Sequence, residues 1–345
     1  MSPRVVLVTG ASRYLSGRLA ALLSDDPAIE RVIGVDVVPP QHGIGGAEFV
    51  RADIRNPVIA KVIEAERVDA VVHMNVIATP LGAGGRPAMK EINVIGTMQL
   101  LAACQKAPGL RKLVVKSTTA VYGSSPRDPA LFTEESEPRG LPRSGYAKDS
   151  VEVEGYVRGL GRRRPDVAVT MLRFTNFIGP RIETPLTRYF AMPVVPTVLG
   201  FDPRIQLVHE DDGLEALRRA VVEDHPGTYN VGGAGILLLS QAIRRAGRVP
   251  LPVPAPGVSV VGQLFRRAGL ADFSPEQLRF LGHGRVVDTT RLAERFGFVP
   301  AWSTRAAFDD FVAARVSRLY APDDIAAAEG WLRERLTSYA GAGNG

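Results

Sequence analysis

The chain has 345 residues and a formal net charge of +6, and it is long enough for a large domain and a smaller one. Its only cysteine, Cys104, excludes an intramolecular disulfide, and no run approaches the ~18 apolar residues of a membrane span, so we expect a cytoplasmic protein with no membrane partner. The charge does not indicate a nucleic-acid partner, because the densest basic cluster, residues 158–164, has no interleaved aromatic residues and is typical of a solvated helix end.

The N-terminal pattern predicts a strand, a glycine turn and a helix. The predicted strand, residues 4–8, is a four-residue apolar run after Arg4, the turn follows at Gly10, and a helical stretch covers residues 14–24. This order is typical of a nucleotide-binding opening. A second apolar run ends in Asp36, about 20 residues beyond the turn, where a carboxylate can accept both ribose hydroxyls of an adenine dinucleotide. An acidic residue at this place favours NAD over NADP.

Further strands are predicted at residues 49–54, 69–73 and 112–118, with helical segments between them. Strands that alternate with helices imply a parallel sheet that is covered on both faces. The predicted fold class is therefore α/β.

Short motifs recur along nearly the whole chain in a characteristic order. They are Thr9-Gly10, Asp36, Asp53-Ile54, His73, residues 93–97, residues 117–123, Tyr146, and residues 172–180, 208–212, 227–232 and 288–300. In order and spacing they resemble the extended short-chain dehydrogenase/reductase family, the NAD-dependent epimerases and dehydratases that act on nucleotide sugars. Among these, the chain is most similar to actinobacterial proteins named UDP-glucose 4-epimerase-like.

The resemblance implies a Rossmann-type doubly wound parallel sheet with a smaller C-terminal substrate-binding cap. The Rossmann domain would comprise residues 1–179 and about 205–235, and the cap residues about 180–204 and 236–345. The two would interleave because a late strand near 228–231 returns to the sheet. The proline-rich segment 250–256 is expected to be a connector or a lid. Family members pair through the helices that begin near Asn93 and Tyr146, so a homodimer is expected.

One position departs from the resembled catalytic pattern. In those enzymes a tyrosine hydroxyl exchanges a proton with the substrate alcohol, and a lysine one helical turn later supplies the charge that favours phenolate. Here Tyr146 is followed at that spacing by Ser150. Lowering a tyrosine pKa by ~3 units needs about 4 kcal/mol, which a neutral hydroxyl is not expected to supply.

Two lysines could replace the missing charge. Lys148 is a poor substitute, because two residues along a helix turn the side chain by about 200°, away from Tyr146. Lys116 lies two residues before Thr118 on a predicted strand, so both share one face. The resemblance assigns the substrate oxygen to Thr118. We hypothesise that Lys116 supplies the cation; the alternative is a lysine that extends to solvent at a strand edge or is paired with an acidic neighbour.

The phosphate loop also departs from the family pattern, with Arg13 and Ser16 at its second and third glycine positions. Ser16 is small, and Gly17 is adjacent. Arg13 could add a guanidinium to the pyrophosphate, reach a 2′-phosphate, or block the site. The predicted contacts to the dinucleotide are Gly10, Arg13, Tyr14, Leu15, Asp36, Asp53, Ile54, His73, Asn75 and Asn93.

The substrate residues follow from the resemblance alone. Asn176 matches an asparagine that contacts the nucleotide diphosphate, and Arg204 and Arg285 are expected phosphate partners; each could instead hold the cap in place. The histidines show no metal-ligand spacing, so no metal is expected.

Two functions stay open. The first is an NAD-dependent nucleotide-sugar epimerase, dehydratase or reductase that uses Thr118 and Tyr146 with Lys116 or water. The second is a catalytically silent nucleotide-binding sensor or scaffold, which Arg13 and Ser150 favour.

Overall fold

The computed structural model describes residues 3–74, 77, 84–137, 145–254 and 275–316. Its strands are β1 Val5–Thr9, β2 Arg31–Asp36, β3 Glu48–Arg51, β4 Ala70–His73, β5 Lys112–Thr118, β6 Ala168–Phe174, β7 Asn176–Ile178, β8 Val194–Val198, β9 Arg204–Ile205, β10 Leu207–His209, β11 Gly227–Val231, β12 Leu237–Leu238 and β13 Val249–Val253.

The α-helices are α1 Tyr14–Ser24, α2 Val58–Ala65, α3 Arg86–Lys90, α4 Thr97–Lys106, α5 Gly145–Arg163, α6 Pro185–Ala191, α7 Glu210–Val222, α8 Leu239–Arg245, α9 Pro275–His283, α10 Thr290–Glu294 and α11 Thr304–Arg315. A π-helical turn, Glu91–Gly96, joins α3 to α4, and a 3₁₀ turn, Thr119–Tyr122, follows β5.

Seven strands form one parallel sheet in the order β11-β6-β5-β4-β1-β2-β3. The chain runs outward from β1 to β3, then returns to β4 on the other side of β1. This reversal makes a topological switch point, and ligands of such sheets bind in the crevice beyond the carboxyl ends of the strands there. The Rossmann-type doubly wound α/β fold is thus confirmed, including the late strand, which joins the sheet beside β6.

The two faces of the sheet are buried by different helices. Side chains alternate along β1, so Val6 and Val8 pack with α1 and α7 while Leu7 packs with α2, α4 and α5. Each fully buried aliphatic side chain of this kind contributes about 1.5–3 kcal/mol relative to exposure. Burial on both faces fixes the carboxyl ends of β1, β2, β4 and β5 relative to one another. None of the helices in the described ranges is both long and apolar enough to span a bilayer.

A second core lies outside the large sheet. It joins residues that precede β11 with residues that follow it, among them Phe190 of α6, Leu239 of α8 and Phe308 of α11. Phe190 packs edge-on against Phe308, with ring centroids 4.9 Å apart. This core positions the segment that follows β7 against the carboxyl edge of the sheet.

The proline-rich stretch contributes a strand rather than only a connector. Strand β13 pairs in parallel with β8, with Val249 opposite Val194. The amide of Val249 donates to the Pro193 carbonyl at 3.3 Å, and the Val253 carbonyl accepts from Leu199 at 2.9 Å. The odd-numbered residues therefore bond to β8, whereas Pro250 and Pro252 turn their nitrogens, which lack a hydrogen, to the other edge. The rest of the stretch, from residue 255, lies outside the described residues.

Candidate active site

A cavity of about 490 Å³ opens at the carboxyl ends of β1 and β5. Its walls come from the N-terminus of α1, the end of β5, the first turn of α5, and the segment from β7 to α6. The lining residues used below are Arg13, Tyr14, Leu15, Ser16, Lys116, Ser117, Thr118, Tyr146, Thr175, Asn176, Phe177, Arg181, Glu183 and Arg285. The cavity thus collects five predicted catalytic or substrate residues and three predicted cofactor contacts in one place.

The glycine turn presents backbone donors to this cavity. Gly10 has a positive φ of 74°, which favours glycine, and the amides of Gly10 and Ala11 bond to the Val35 carbonyl. The first amides of α1, from Tyr14 to Ser16, have no carbonyl one turn back, so they are available to an anion. A Cβ on Gly17 would lie 3.1 Å from the Ala11 carbonyl. Residue 17 therefore permits the close approach of helix and turn, and Ser16 is accommodated while buried.

Asp36 stands at the end of β2, beside the glycine turn. Its Oδ2 accepts from the Ser12 amide at 3.1 Å and the Ser12 hydroxyl at 2.5 Å, and its Oδ1 accepts from the Val37 amide at 2.7 Å. These bonds hold the carboxylate in one orientation and leave acceptor capacity, because two carboxylate oxygens offer about four lone-pair sites.

Asp53 is held by a neighbour two residues away. Arg55 donates to its carboxylate from the backbone and from the guanidinium, at 2.6–3.0 Å. The side-chain hydrogen bond from Arg55 lowers the pKa of Asp53 below its usual range. Ile54 is buried, and a Cβ on Gly96 would meet its side chain at 2.9 Å. The Asp53-Ile54 motif is thus packed tightly against the π-helical turn.

His73, at the end of β4, is a neutral side chain that hydrogen-bonds to both β1 and α4. The Thr97 hydroxyl donates to the Asn93 carbonyl at 2.5 Å, so it accepts from His73 Nε2–H at 2.8 Å. The other nitrogen, Nδ1, then accepts from the Thr9 hydroxyl at 3.1 Å. Burial, with the charge of Lys116, lowers the pKa of His73 to about 4. His73 is fully buried and is not among the lining residues of the cavity. Asn75, also predicted to bind the cofactor, lies outside the described residues.

The side-chain amide of Asn93 forms hydrogen bonds with other residues of the protein. Its Oδ1 accepts from the Ile77 amide at 2.7 Å, and its Nδ2 donates to the Ile77 carbonyl at 3.0 Å and to Asp149 at 3.2 Å. The fully buried Asp149 also accepts from both terminal nitrogens of Arg86, at 2.5 and 2.7 Å, and Arg86 donates to the Gly145 carbonyl at 3.0 Å. This ion pair, which the sequence did not indicate, anchors the first turn of α5.

Four cationic side chains line the cavity within the described ranges, and two of them are engaged by the protein. Arg181 contacts Glu210 at 3.2 Å, and Arg285 donates to the Gly123 carbonyl at 2.8 Å and to Ser124 at 3.0 Å. Arg13 and Lys116, by contrast, have no hydrogen-bond or ion-pair partner among the residues described. Desolvation lowers the pKa of Arg13, although Asp36 opposes this effect.

Lys116 is the more perturbed of the two cations. Burial lowers its pKa to about 8, and the positive charge of Arg13 acts in the same direction. Its ammonium lies 5.8 Å from the centroid of the Phe177 ring. No acidic side chain pairs with its ammonium in the described part of the chain, which leaves the unpaired lysine at a strand edge as the alternative interpretation. An unpaired cation in a desolvated cavity is costly, so the arrangement favours an anionic ligand.

Thr118, Tyr146 and Lys116 all line the cavity, whereas Ser150 does not. The Ser150 side chain is buried and donates to the Tyr146 carbonyl at 2.9 Å, one turn back on its own helix. The Thr118 hydroxyl accepts from the Ala120 amide at 3.1 Å and begins the 3₁₀ turn. Lys148 lies outside the cavity, with its ammonium 3.9 Å from Glu152. Ser150 therefore serves the helix backbone rather than the site.

A buried polar network supports the floor of the cavity. Glu154 receives Arg173 Nε at 2.9 Å and Nη2 at 2.7 Å, and Ser117 donates to it at 2.6 Å. Arg173 also donates to the Tyr122 hydroxyl at 2.8 Å, and that hydroxyl donates to Asn230 at 2.8 Å. The network ties β5, β6, α5 and β11 together, so Thr118 and Tyr146 stand on rigid elements.

The predicted substrate residues divide into two groups. Asn176 and Arg285 line the cavity, but Arg204 is exposed on β9 and lies outside it. Its backbone carbonyl instead accepts from the Arg285 amide at 3.2 Å.

The cavity also contains the Thr175 hydroxyl, which is buried without a hydrogen-bond partner among the described residues. In the same described ranges, no three His, Cys, Asp or Glu side chains are grouped to hold a metal ion.

Residues 6–232 match the model of the family described as NAD dependent epimerase/dehydratase. The chain is 54% identical over 317 residues to an uncharacterized protein of Mycobacterium tuberculosis, covering 91% of this chain and 84% of that protein.

Solved structures share the fold at low identity. A UDP-glucose 4-epimerase of Thermotoga maritima with UDP-glucose is similar with a TM-score of 0.69 at 19% identity, covering 90% of this chain and 98% of that one. A UDP-glucose 4-epimerase of Thermus thermophilus in complex with NAD has a TM-score of 0.68 at 23% identity, with the same coverage.

Proposed function

Because the chain belongs to the NAD-dependent epimerase/dehydratase family, we propose that it is an enzyme that binds NAD and acts on a nucleotide sugar, with a rebuilt proton-transfer site. The observation that carries the proposal is the pair of unpartnered cations, Arg13 and Lys116, in the cavity that also holds Thr118 and Tyr146. Both ligands are anionic through their diphosphates, and proteins of this fold have been solved with NAD or UDP-glucose.

The residues of the cavity, together with those at the ends of β2 and β3, fit the dinucleotide. The free amides at the start of α1 and the Arg13 guanidinium would take the pyrophosphate. Asp36 would accept the ribose hydroxyls, which favours NAD over NADP because a carboxylate repels a 2′-phosphate. Asp53 and Ile54 would meet the adenine, and the unpartnered Thr175 hydroxyl indicates that a polar ligand completes the cavity. NAD, when bound, supplies the acceptor and donor for hydride.

Residues of the chain itself would transfer the proton to and from the substrate alcohol. The Tyr146 hydroxyl takes the proton of the substrate alcohol and later returns it, while Thr118 binds the same oxygen. A unit charge held ~6 Å from a phenolate would stabilise it by about 3 kcal/mol at an effective dielectric constant of ~20, equal to about two pKa units. We propose Lys116, which lines the same cavity as Tyr146, as the source of such a charge once a bound anion raises its own pKa. Ser150 cannot, because it is neutral and its hydroxyl is used by the helix backbone.

Asn176 and Arg285 are proposed to contact the diphosphate of the substrate; Arg204 is not, because its side chain lies outside the cavity. We further propose a cytoplasmic homodimer that pairs through α4 and α5. The exposed apolar side chains Ile95 and Met98 near the start of α4, and Tyr156 of α5, support this surface.

A catalytically silent nucleotide-binding sensor or scaffold is the second candidate. The observation that favours it is Arg13, which stands where the family has glycine and is largely buried in the cavity. Such a protein would bind a nucleotide without turnover.

Calorimetric titration with NAD and NADP, followed by incubation with UDP-glucose or UDP-galactose, tests the proposal. We expect binding of NAD and interconversion or dehydration of the sugar. Failure to bind either dinucleotide would refute the proposed enzymatic function. Binding without turnover of any tested nucleotide sugar would support the second candidate, the catalytically silent protein. In the latter case Ser150→Lys is the reverse test, because a lysine there restores the family's charge beside Tyr146. Activity gained by Ser150→Lys alone would show that the native site lacks the cation.

A further inference from the structure

Lys116 differs from the other five lysines of the chain in its surroundings. Lys112 is held by the Val221 and Glu223 carbonyls at 2.7 Å and by Asp224 at 2.9 Å, and Lys148 faces Glu152. The remaining three, Lys61, Lys90 and Lys106, are exposed.

The part of the cavity lining that the structure describes offers Lys116 an aromatic wall and no unpaired carboxylate. Its ammonium lies 5.8 Å from the Phe177 ring centroid. The single carboxylate among the described lining residues, Glu183, is paired with Arg188 at 2.7 Å. Among the described residues, the Arg13 guanidinium repels the Lys116 charge, and His73, which that charge also affects, is held neutral. Tyr146, Arg181 and Arg285 are further titratable or charged groups that line the same cavity. Desolvation and the Arg13 charge favour the free amine of Lys116 over the ammonium, and the Phe177 ring opposes them through its cation–π attraction.

The electrostatics follow from this geometry. With a pKa of about 8, roughly 20% of Lys116 is unprotonated at pH 7.4. An ordinary lysine with a pKa of ~10.4 is about 0.1% unprotonated at that pH. The fraction of nucleophilic amine is therefore about 200-fold larger at Lys116 than at a surface lysine. Lysines that are desolvated beside a second cation are the ones that proteins use to form Schiff bases.

We propose that Lys116 is a reactive amine that condenses with an anionic aldehyde or ketone in this cavity, an activity that requires no dinucleotide. The Nζ lone pair adds to the carbonyl carbon, and the carbonyl oxygen gains a proton to give a carbinolamine. Loss of that oxygen as water leaves an imine between Nζ and the carbon, so no oxidant or reductant is consumed. Arg13 binds the anionic group of the ligand, and the Thr118 hydroxyl, on the same face of β5, can pass the proton to the carbinolamine oxygen.

Pyridoxal 5′-phosphate is a suitable probe, because it carries both an aldehyde and a phosphate. The protein is incubated with it at pH 7.4, the imine is reduced with borohydride, and the labelled lysine is located by peptide mass spectrometry. We expect labelling at Lys116 about 100-fold faster than at the three exposed lysines. Equal labelling rates at Lys116 and those surface lysines would overturn the proposal.

Matched variants sharpen the result. Lys116→Arg keeps the charge but removes the nucleophile and should abolish the fast label, whereas Lys148→Arg should leave it unchanged. Arg13→Met removes the repelling charge, so Lys116 should become more protonated and label several-fold more slowly at pH 7.4. If Lys116→Arg fails to fold, the peptide map of the unaltered protein still decides the question.

The outcome can be separated from that of the proposed function. Protection of Lys116 by added NAD would place both ligands in one cavity. Fast labelling without protection by NAD would leave the amine chemistry standing while the proposed cofactor site fails. Normal NAD binding with no selective label would refute the amine chemistry alone.

Discussion

Replacing Lys116 by methionine removes the ammonium and keeps the length of the side chain. The pKa of this group falls from 10.5 to about 8 in the ligand-free protein, which corresponds to about 3 kcal/mol of disfavoured charge. A bound pyrophosphate would recover most of that free energy. Because Lys116 is partly exposed to the cavity, we reduce the expected gain to about 2 kcal/mol. Lys116→Met should therefore weaken NAD binding ~30-fold.

Calorimetric titration of NAD into the purified variant measures this change, with Lys148→Met as the control. Lys148 faces Glu152 at 3.9 Å on the surface, so its loss should change NAD affinity less than twofold. The thermal midpoint of the ligand-free Lys116→Met protein should not fall, because an unpartnered ammonium is removed from a desolvated place. Unchanged NAD affinity in the variant would show that Lys116 does not face the dinucleotide, and the electrostatic argument for the site would fail.

Three further outcomes are expected. NAD affinity should weaken as the pH rises through about 8, because Lys116, whose pKa is lowered to about 8, is charged below that pH and neutral above it. Calorimetric titrations of Lys116→Met should show no such fall in NAD affinity with pH. Asp36→Asn should weaken NAD roughly tenfold while NADP binding is kept or improved, and a parallel loss of both would contradict the assigned ribose contact. Glu154→Gln leaves the buried Arg173 guanidinium without its counter-charge, which should lower the free energy of unfolding by about 3 kcal/mol. The melting temperature, measured by calorimetry, should then fall by roughly 5–10 °C. In the control, Glu152→Gln at a more exposed position, it should change by about one or two degrees.

Local sequence patterns were sufficient for strands β1 to β5 of the sheet and for one wall of the site, whereas the late strand β11 was expected from the family resemblance. The apolar runs and the glycine turn predicted β1, α1 and the placement of Asp36 beside the turn, because these depend on neighbours along the chain. The period of two along β5 placed Lys116 and Thr118 on one face, and both line the cavity. Lys148 was likewise excluded by the helical period alone.

Contacts between distant residues could not be read from those patterns. Asn93 was expected to serve the cofactor, but its amide is consumed by Ile77 and Asp149, and Asp149 is paired with Arg86, 63 residues away. Arg204 was expected in the site, but the two-residue strand β9 pairs with β12 and leaves its side chain in solvent. No spacing in the sequence indicates either partner, since each depends on how separate elements come together in space.

The orientation of the prolines in β13 limits how this protein can associate. Val194, Val249 and Leu251 expose apolar side chains on the β8–β13 ladder, a surface to which other chains could adhere. The outer edge of that ladder presents Pro250 and Pro252, whose nitrogens have no hydrogen to offer to an incoming strand. Two molecules that touch at the β13 edge can share apolar surface, but the prolines offer no N–H donors for a ladder between the chains. We therefore expect pairing of strands between molecules to be disfavoured along this edge.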